Sequence, residues 1–215
     1  YSVETLLDPK SITNPSLINI LNVKYIISNE PIPRLNTELL LESNGVGLYR
    51  NVDFKQKAFV AYEVVPLPSA AAVFQQLSEN NTDYSSTVLV EANHDVPELE
   101  AGNYSVAVTK YSPNEIAIKA ETTSNGFLFL SESYSPGWSA RIDGKPATVY
   151  KANGAFMGVF LSAGQHTVEF RYFPMSFLLG IIITSSTLLV VVIRSALYRF
   201  RKNIAAASDR NLFKA

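Results

Sequence analysis

The sequence of 215 residues contains no cysteine and few charged residues. Without cysteine, the chain has no disulfide, no thiol nucleophile and no thiolate ligand for a metal. Charged residues make up 17% of the sequence, against about 25% in a typical soluble domain. The formal net charge of −1 argues against a nucleic-acid partner, which requires a basic surface. The shortage of charge predicts that part of the chain is apolar beyond the needs of a soluble core.

The shortage of charge is concentrated near the C-terminus, where residues 172–193 carry no charged side chain. A helix of about 20 residues crosses the ~30 Å hydrocarbon core of a bilayer. Pro174 suits the first turn of such a helix, because its missing N–H needs no intrahelical partner there. The sequence therefore predicts a transmembrane helix over residues 174–193, with the lipid bilayer as its partner. The alternative interpretation is a buried helix in a large soluble core.

The charges on the two sides of this helix are unequal. Residues 194–215 carry six basic side chains and one acidic side chain, whereas residues 1–193 carry 12 basic and 18 acidic side chains. Because basic segments next to a membrane helix stay in the cytoplasm, we predict a basic cytoplasmic tail at residues 194–215. Residues 1–173 are then expected to be extracytoplasmic.

The N-terminal residues, YSVETLLDPK, contain no initiator methionine and none of the features of a signal peptide. An exported domain needs an export signal. We therefore expect an upstream part of the same protein to supply this signal, most simply as further transmembrane helices. These missing N-terminal transmembrane helices are an expected partner of the chain.

Hydrophobic patterning predicts a mainly β fold with some α. Residues 1–86 are predicted to form a mixed α/β extracytoplasmic segment, with Asn14 or Ser16 as the cap of its first helix. Its elements are a helix through SLINILNV, strands at 25–27, 48–51 and 58–65, and a helix at 69–77. Residues 87–173 alternate polar and apolar side chains between Gly, Asn and Pro turn signals, which predicts an antiparallel β-sandwich domain. Residues 127–130 are expected to be buried on both faces.

Known catalytic and metal-binding patterns are missing from the sequence. His94 and His166 lie 72 positions apart, and neither belongs to a spacing that holds a metal. Glu98 and Glu100 fit a solvated loop. No nucleophile elbow and no phosphate-binding glycine loop is present. We therefore predict no cofactor, no metal site and no catalytic residue within this chain.

The most distinctive segment is SESYSPGWSARIDG, residues 131–144. It predicts a tight turn through Pro136 and Gly137, a strand, and a hairpin at Asp143 and Gly144. Two exposed rings here, Tyr134 and Trp138, would stack on a sugar and form a glycan contact. The alternative is that Trp138, on the inward side of a strand, fills the core.

Several motifs resemble the C-terminal region of the bacterial YfhO family of multi-pass membrane proteins. They are the YSPGW run at 134–138, Asp143 with Gly144, Asn153 with Phe156, the GQH run at 164–166, and FRYFP at 170–174. The upstream runs LNVKYII at 21–27, LYRN at 48–51 and KAFV at 57–60 are similar to the same family. We predict a structural role for six motif residues: Pro136, Gly137, Asp143, Gly144, Asn153 and His166.

The resemblance implies a polytopic protein similar to membrane glycosyltransferases that use lipid-linked sugars, with this domain placed before its last helix. It further implies an accessory role in glycosylation of cell-envelope polysaccharide or teichoic acid, with an envelope glycan as partner. The catalytic acid of such enzymes lies in an early loop that has no counterpart here. The alternative is a non-catalytic, membrane-anchored β-sandwich that acts as an interaction or carbohydrate-binding module.

Overall fold

The computed structural model describes residues 14–78, 82–93 and 96–212, and their side chains as far as residue 199. The chain divides into two compact units, Tyr1–Tyr172 and Phe173–Ala215. The helices of the described part are α1 (Pro15–Ile20), α2 (Ala70–Ser78) and α3 (Met175–Leu212). The strands are β1 (Tyr25–Ser28), β2 (Thr37–Ser43), β3 (Val46–Asn51), β4 (Ala58–Ala61), β5 (Glu63–Leu67), β6 (Thr87–Glu91), β7 (Tyr104–Ser112), β8 (Glu115–Thr122), β9 (Gly126–Leu130), β10 (Trp138–Ile142), β11 (Lys145–Ala147), β12 (Tyr150–Ala152), β13 (Phe156–Leu161) and β14 (Gly164–Tyr172).

The strands form three sheets, and the mainly β fold with antiparallel sheets is confirmed. The central sheet has the order β4-β9-β13-β12-β6-β5, the outer sheet β11-β10-β14-β8-β7, and the small sheet β1-β3-β2. Pairing is antiparallel except between β5 and β6, which run parallel. Helix α2 connects these two strands, as a parallel pair requires a crossover.

Helix α1 begins where the sequence predicts. The Asn14 side chain accepts a hydrogen bond from the Ser16 N–H at 3.0 Å, and Pro15 occupies the first turn. The helix ends at Ile20, short of the predicted end of SLINILNV. Asn22 has a φ of 61°, which a helix cannot continue through, and its side chain donates to the Lys55 carbonyl at 2.8 Å.

The central sheet is buried on both faces. One face packs against the outer sheet through an interior cluster that includes Leu128, Leu130 and Phe170. The other face packs against α1 and α2 through a second cluster that includes Phe127 and Phe129. Successive side chains of a strand point to opposite faces, so β9 supplies both clusters. The predicted double burial of residues 127–130 is confirmed.

The two ends of the sandwich formed by the central and outer sheets are distinguished by where the chain leaves. Tyr172, the last residue of β14, is paired with Trp138 of β10. At the other end of β14, Gly164 is paired with Thr122 of β8. We call the end that holds Tyr172 the exit end, and the end that holds Gly164 the opposite end.

The second unit is the single helix α3. Within its segment Met175–Arg199, an 18-residue stretch has a mean hydropathy of 2.5, and none of that stretch is buried. The segment is long enough to cross a membrane. The apolar C-terminal helix expected over residues 174–193 is therefore present. It continues to Leu212, so the predicted basic tail is helical as far as the structure describes it. The side of the membrane on which each segment lies stays a prediction.

Two strands differ from the sequence prediction. The run 58–65 forms β4 and β5 in place of one strand, because the chain bends at Tyr62 and the two strands occupy opposite edges of the central sheet. Strand β2 was not predicted, because its TELLLES sequence lacks the polar and apolar alternation of a half-buried strand. The domain boundary at residue 86 stays a prediction; strands before and after it share the central sheet.

Candidate functional site

The loop between β9 and β10 ends in a tight turn at the exit end. Pro136 and Gly137 are its central residues, and the Trp138 N–H donates to the Ser135 carbonyl at 3.0 Å. Proline fixes its own φ near the value this position of a turn needs. The turn therefore sets the position at which Trp138 begins β10.

The two predicted glycan-contact residues are both half-buried at the exit end. The ring of Trp138 lies against that of Tyr172, with 5.2 Å between centroids, and both Tyr134 and Trp138 pack against the interior cluster. The Tyr134 N–H donates to the Ala155 carbonyl at 2.8 Å, which holds this part of the loop in place. Each ring thus contributes to the core and keeps part of its surface in solvent, and glycan contact stays a prediction.

A lysine, a glutamate and a tyrosine meet beside this loop. The Lys57 Nζ lies 3.0 Å from the Glu132 Oε2, and the Tyr111 hydroxyl donates to the same oxygen at 2.8 Å. The Lys57 Nζ also lies 4.4 Å from the centroid of the Tyr111 ring and donates to the Ser131 carbonyl at 3.2 Å. We call Lys57, Glu132 and Tyr111 the exit-end polar cluster.

Electrostatics hold Lys57 in its charged form. Desolvation by burial acts to lower the pKa of Lys57, but the hydrogen bonds and charge of Glu132 and the contact with Tyr111 outweigh it. The pKa of Lys57 is consequently raised above its ordinary value. The exit end therefore presents an ammonium, a carboxylate and a phenol, and it also holds two half-buried aromatic rings, Tyr134 and Trp138.

No local sequence pattern indicates the exit-end polar cluster. Lys57 and Ser131 are 74 positions apart, and Tyr111 is 21 positions from Glu132. Strand β4 brings Lys57 to β9, and β7 brings Tyr111 across from the outer sheet. Glu132 directly precedes the SYSPGW run in the sequence, but this position does not identify Lys57 and Tyr111 as its partners.

At the opposite end, two predicted motif residues meet. The His166 Nδ1 lies 2.7 Å from the Asp143 Oδ2, and the Asp143 Oδ1 accepts from the Thr167 N–H at 2.8 Å. These hydrogen bonds, the one from Thr167 first, lower the pKa of Asp143. Asp143 and Gly144 have φ values of 51° and 77°, as the two central residues of a type I′ hairpin require. Asp143 therefore joins the β10-β11 turn to β14.

Ser162 completes an arrangement that resembles a hydrolase triad only in connectivity. The His166 Nε2 lies 3.2 Å from the Ser162 Oγ and 3.1 Å from the Ser162 carbonyl oxygen. The next backbone N–H, of Ala163, donates to the Asn125 side chain at 3.1 Å, so it is not available to stabilise an oxyanion. The arrangement fits a link between two turns better than a nucleophilic site.

Asn153 holds the turn between β12 and β13 against β6. Its N–H donates to the Leu89 carbonyl at 2.8 Å, and its Oδ1 accepts from the Leu89 N–H at 2.8 Å. The residue is buried and has a φ of 45°, which few residue types adopt readily. Asn153 thus continues the hydrogen bonding between β12 and β6 by one residue beyond the end of β12.

The remaining titratable residues singled out in the sequence give no further site. His94 lies outside the described residues. Glu98 and Glu100 are exposed before β7 and line a shallow surface hollow with Ser124 and Asn125. Within the part of the chain that the structure describes, no group of three or more His, Asp or Glu side chains could hold a metal ion.

Comparison with known proteins shows similarity to one bacterial membrane-protein family over part of the chain. Residues 98–184 match the family model described as "Bacterial membrane protein YfhO". The "Uncharacterized protein YfhO" of Bacillus subtilis (strain 168) is 28% identical over 82 residues, which are 38% of this chain and 10% of that protein. The chain thus covers about a tenth of the length of this relative. No solved structure matches the chain. The YfhO resemblance is confirmed by this match, which covers the motifs from Tyr134 to Pro174. The similarity of the upstream runs at 21–27, 48–51 and 57–60 lies outside the matched residues and stays a prediction.

Proposed function

We propose that this chain, a YfhO-family membrane protein, is the extracytoplasmic β domain and last membrane helix of a multi-pass protein that glycosylates the cell envelope. The β domain has an accessory role, in which the exit end holds an acceptor glycan near the membrane. The observation that carries the proposal is the joint presence there of two half-buried aromatic rings and the exit-end polar cluster. Only Phe173 and Pro174 separate this end from the membrane-spanning helix.

The chemistry of the exit end suits a sugar. A pyranose ring presents C–H groups on its faces and hydroxyls at its edge, so it binds where an aromatic face and hydrogen-bonding groups lie side by side. Ligand sites in proteins combine apolar lining with a few placed polar groups in the same way. Tyr134 offers apolar surface in the same loop as the Glu132 carboxylate, which is an acceptor. Trp138 on β10 and the Tyr111 phenol on β7 lie at the same end, separated by β14 and β8.

Binding to the full chain in lipid nanodiscs tests this role. Titration calorimetry with glycerol phosphate oligomers that carry hexose is expected to give binding, and the same oligomers without hexose are expected to bind more weakly. Glu132→Gln keeps the shape but removes the charge, and we expect about a fivefold loss of affinity, or roughly 1 kcal/mol. The matched control is His166→Gln at the opposite end, for which affinity should not change. Equal binding of both oligomers would remove the proposed acceptor role.

The topology is tested separately. Reporters fused after residue 203 and inserted near residue 125 should be active in the cytoplasm and outside the membrane, respectively. The proposal rests on the six basic residues after position 193 and on the tendency of such segments to stay inside. An extracytoplasmic signal from the C-terminal fusion would reverse the orientation.

A non-catalytic interaction module is the second candidate. It is favoured by the pairing of Glu132, whose carboxylate already contacts Lys57 and Tyr111 and so is poorly placed to act as an acid or base. The two candidates differ in what the rest of the protein contains. Upstream transmembrane helices with an acidic extracytoplasmic loop favour the glycosyltransferase, whereas a single signal peptide favours the module.

A further inference from the structure

Three asparagines of the chain are followed directly by glycine: Asn44, Asn125 and Asn153. An asparagine in this position is prone to lose its side-chain amide, because glycine has no side chain to hinder attack by its own nitrogen on the asparagine Cγ. The residue before each asparagine is also small, serine or alanine. Differences in reactivity between the three pairs in the folded protein therefore come from the fold.

Asn44 and Gly45 form the tip of the hairpin between β2 and β3. Their φ values of 54° and 77° are those of a type I′ turn. Asn44 is exposed, and a Cβ added at Gly45 would meet no atom within 4 Å. Among the residues whose side chains the structure describes, none is hydrogen-bonded to the Asn44 side chain. The amide at this tip therefore moves without the loss of a bond.

Asn153 and Gly154 have a similar backbone conformation in different surroundings. Their φ values are 45° and 74°, but Asn153 is 4% exposed, and its Oδ1 accepts from the Leu89 N–H at 2.8 Å. A Cβ added at Gly154 would meet Phe74 at 3.3 Å and Leu77 at 3.5 Å. Releasing the Asn153 side chain would leave a buried N–H without an acceptor, which is costly.

Asn125 combines an exposed position with a bound side chain. Its Oδ1 accepts from the Ala163 N–H at 3.1 Å. The glycine that follows is buried, and a Cβ added at Gly126 would clash with the Val60 side chain. The side chain of Asn125 is therefore held in place, although water is able to replace its bond.

The hairpin at Asn44 also opens more easily than the turn at Asn153. Ring closure requires the glycine nitrogen to rotate towards the asparagine Cγ, so the reaction follows local opening of the turn. Opening is easiest where few buried contacts are lost. Six of the seven residues of β2 are exposed, whereas Ala152, at the end of β12, is buried and paired with buried Val90.

We propose that Asn44 is a site of spontaneous deamidation and that the fold protects Asn125 and Asn153. The Gly45 nitrogen forms a bond to the Asn44 Cγ, the bond from Cγ to Nδ2 breaks, and ammonia leaves with the proton of the Gly45 N–H. Water then opens the five-membered ring at either of its two carbonyls, which gives aspartate or isoaspartate. Both products add a negative charge. Isoaspartate also adds a carbon to the backbone of a two-residue turn, whose length fixes the register of β2 and β3.

Peptide mapping of the full chain in detergent by mass spectrometry tests the proposal. The purified chain is kept in mildly alkaline buffer and sampled over time. Trypsin places the three pairs on separate peptides, which end at Arg50, Arg141 and Arg171. We expect the Asn44 peptide to be deamidated about tenfold faster than the Asn153 peptide and severalfold faster than the Asn125 peptide.

Two controls separate the effect of the fold from that of the sequence. In denaturant the three pairs should react at similar rates, because their immediate neighbours are alike. The first peptide also contains Asn36, so Asn44→Gln should abolish the rapid change in that peptide if Asn44 is its source.

Three results would overturn the proposal. Equal rates at Asn44 and Asn153 in the folded chain would mean that burial of Asn153 gives no protection or that the hairpin at Asn44 is closed too firmly to react. Faster reaction at Asn125 than at Asn44 would mean that its bond to Ala163 does not hold the side chain. Rapid deamidation that persists in Asn44→Gln would place the reaction at Asn36. No sugar takes part in the measurement, so its outcome is independent of the proposed glycan role.

Discussion

The two ends of the sandwich contain different chemistry although both carry motifs of the same family. At the opposite end, Asp143 and His166 contact each other and neighbouring backbone groups, and they join turns. At the exit end, Trp138 and Tyr134 keep part of their surface in solvent, and the exit-end polar cluster lies at the same end of the sandwich. The difference is what the proposed function requires: side chains at the opposite end join turns of the fold, and those at the exit end remain partly accessible to a ligand.

The largest expected effect of a single substitution on stability is at Asn153. This residue holds the β12-β13 turn, to which the β9-β10 loop is hydrogen-bonded through Tyr134 and Ala155. Asn153→Ala leaves the buried Leu89 N–H without its acceptor and places alanine at a φ of 45°. We expect a loss of about 2–4 kcal/mol in the free energy of unfolding, measured by denaturation of the full chain in detergent with Trp138 fluorescence as the signal.

Asn125→Ala is the matched control for Asn153. Asn125 also accepts one backbone N–H through its side chain, but it is exposed, so water replaces the lost bond. We expect a loss below about 1 kcal/mol. Equal losses at the two positions would mean that burial of the Asn153 bonds adds nothing.

A smaller effect is expected from the link at the opposite end, and it depends on pH. The pKa of Asp143 is lowered in the folded state from its ordinary value of 3.8. Its contribution to stability is therefore present above pH 3.8 and is lost as the pH falls through the folded-state pKa. We expect Asp143→Asn to be less stable than the wild type at neutral pH, with the difference shrinking in acid.

Acid unfolding of the two proteins, followed by circular dichroism, checks this dependence. Lys145→Gln is a suitable control, because Lys145 acts on Asp143 only through its charge and makes a smaller contribution to the lowered pKa. If the wild type and Asp143→Asn lose stability in parallel as the pH falls, the Asp143 carboxylate does not hold the two turns together.

The smallest expected effect concerns the exit-end polar cluster at alkaline pH. The pKa of Lys57 is raised in the folded state above 10.5. The ion pair therefore stabilises the fold below pH 10.5 and stops doing so as the pH rises through the folded-state pKa. Because the cluster is partly solvated, the stabilisation is small. Glu132→Gln should unfold with a weaker alkaline dependence than the wild type, and an unchanged dependence would count against the pair.

Local sequence signals predicted much of the fold. The apolar run at 127–130 indicated a strand buried on both faces, Asp143 with Gly144 indicated a two-residue hairpin, and the uncharged stretch after Tyr172 indicated a helix able to span a membrane. Each signal is contained within a few residues. Neither the end of α1 nor strand β2 could be read this way, because Asn22 bonds to Lys55 and β2 exists through its pairing with β3.

The candidate site was less predictable than the fold. The sequence singled out Tyr134 and Trp138, but their half-buried state depends on Tyr172 and on the interior cluster. The contact between Asp143 and His166 and the grouping of Lys57 with Glu132 arise from strand pairing between distant segments. No periodicity within a single segment carries that information.

The central claim, that the exit end binds while the opposite end closes the fold, is tested most directly by one pair of substitutions. Tyr134→Leu and Tyr62→Leu each replace a half-buried tyrosine that packs against the interior cluster; Tyr134 lies at the exit end, and Tyr62 lies at the opposite end, where its hydroxyl contacts the Thr122 Oγ1 at 2.8 Å. The measurement is the affinity of the full chain in nanodiscs for hexose-bearing glycerol phosphate oligomers. We predict a loss of about tenfold for Tyr134→Leu and no change for Tyr62→Leu, with both variants folded by circular dichroism. Equal affinities for the two variants would contradict the account.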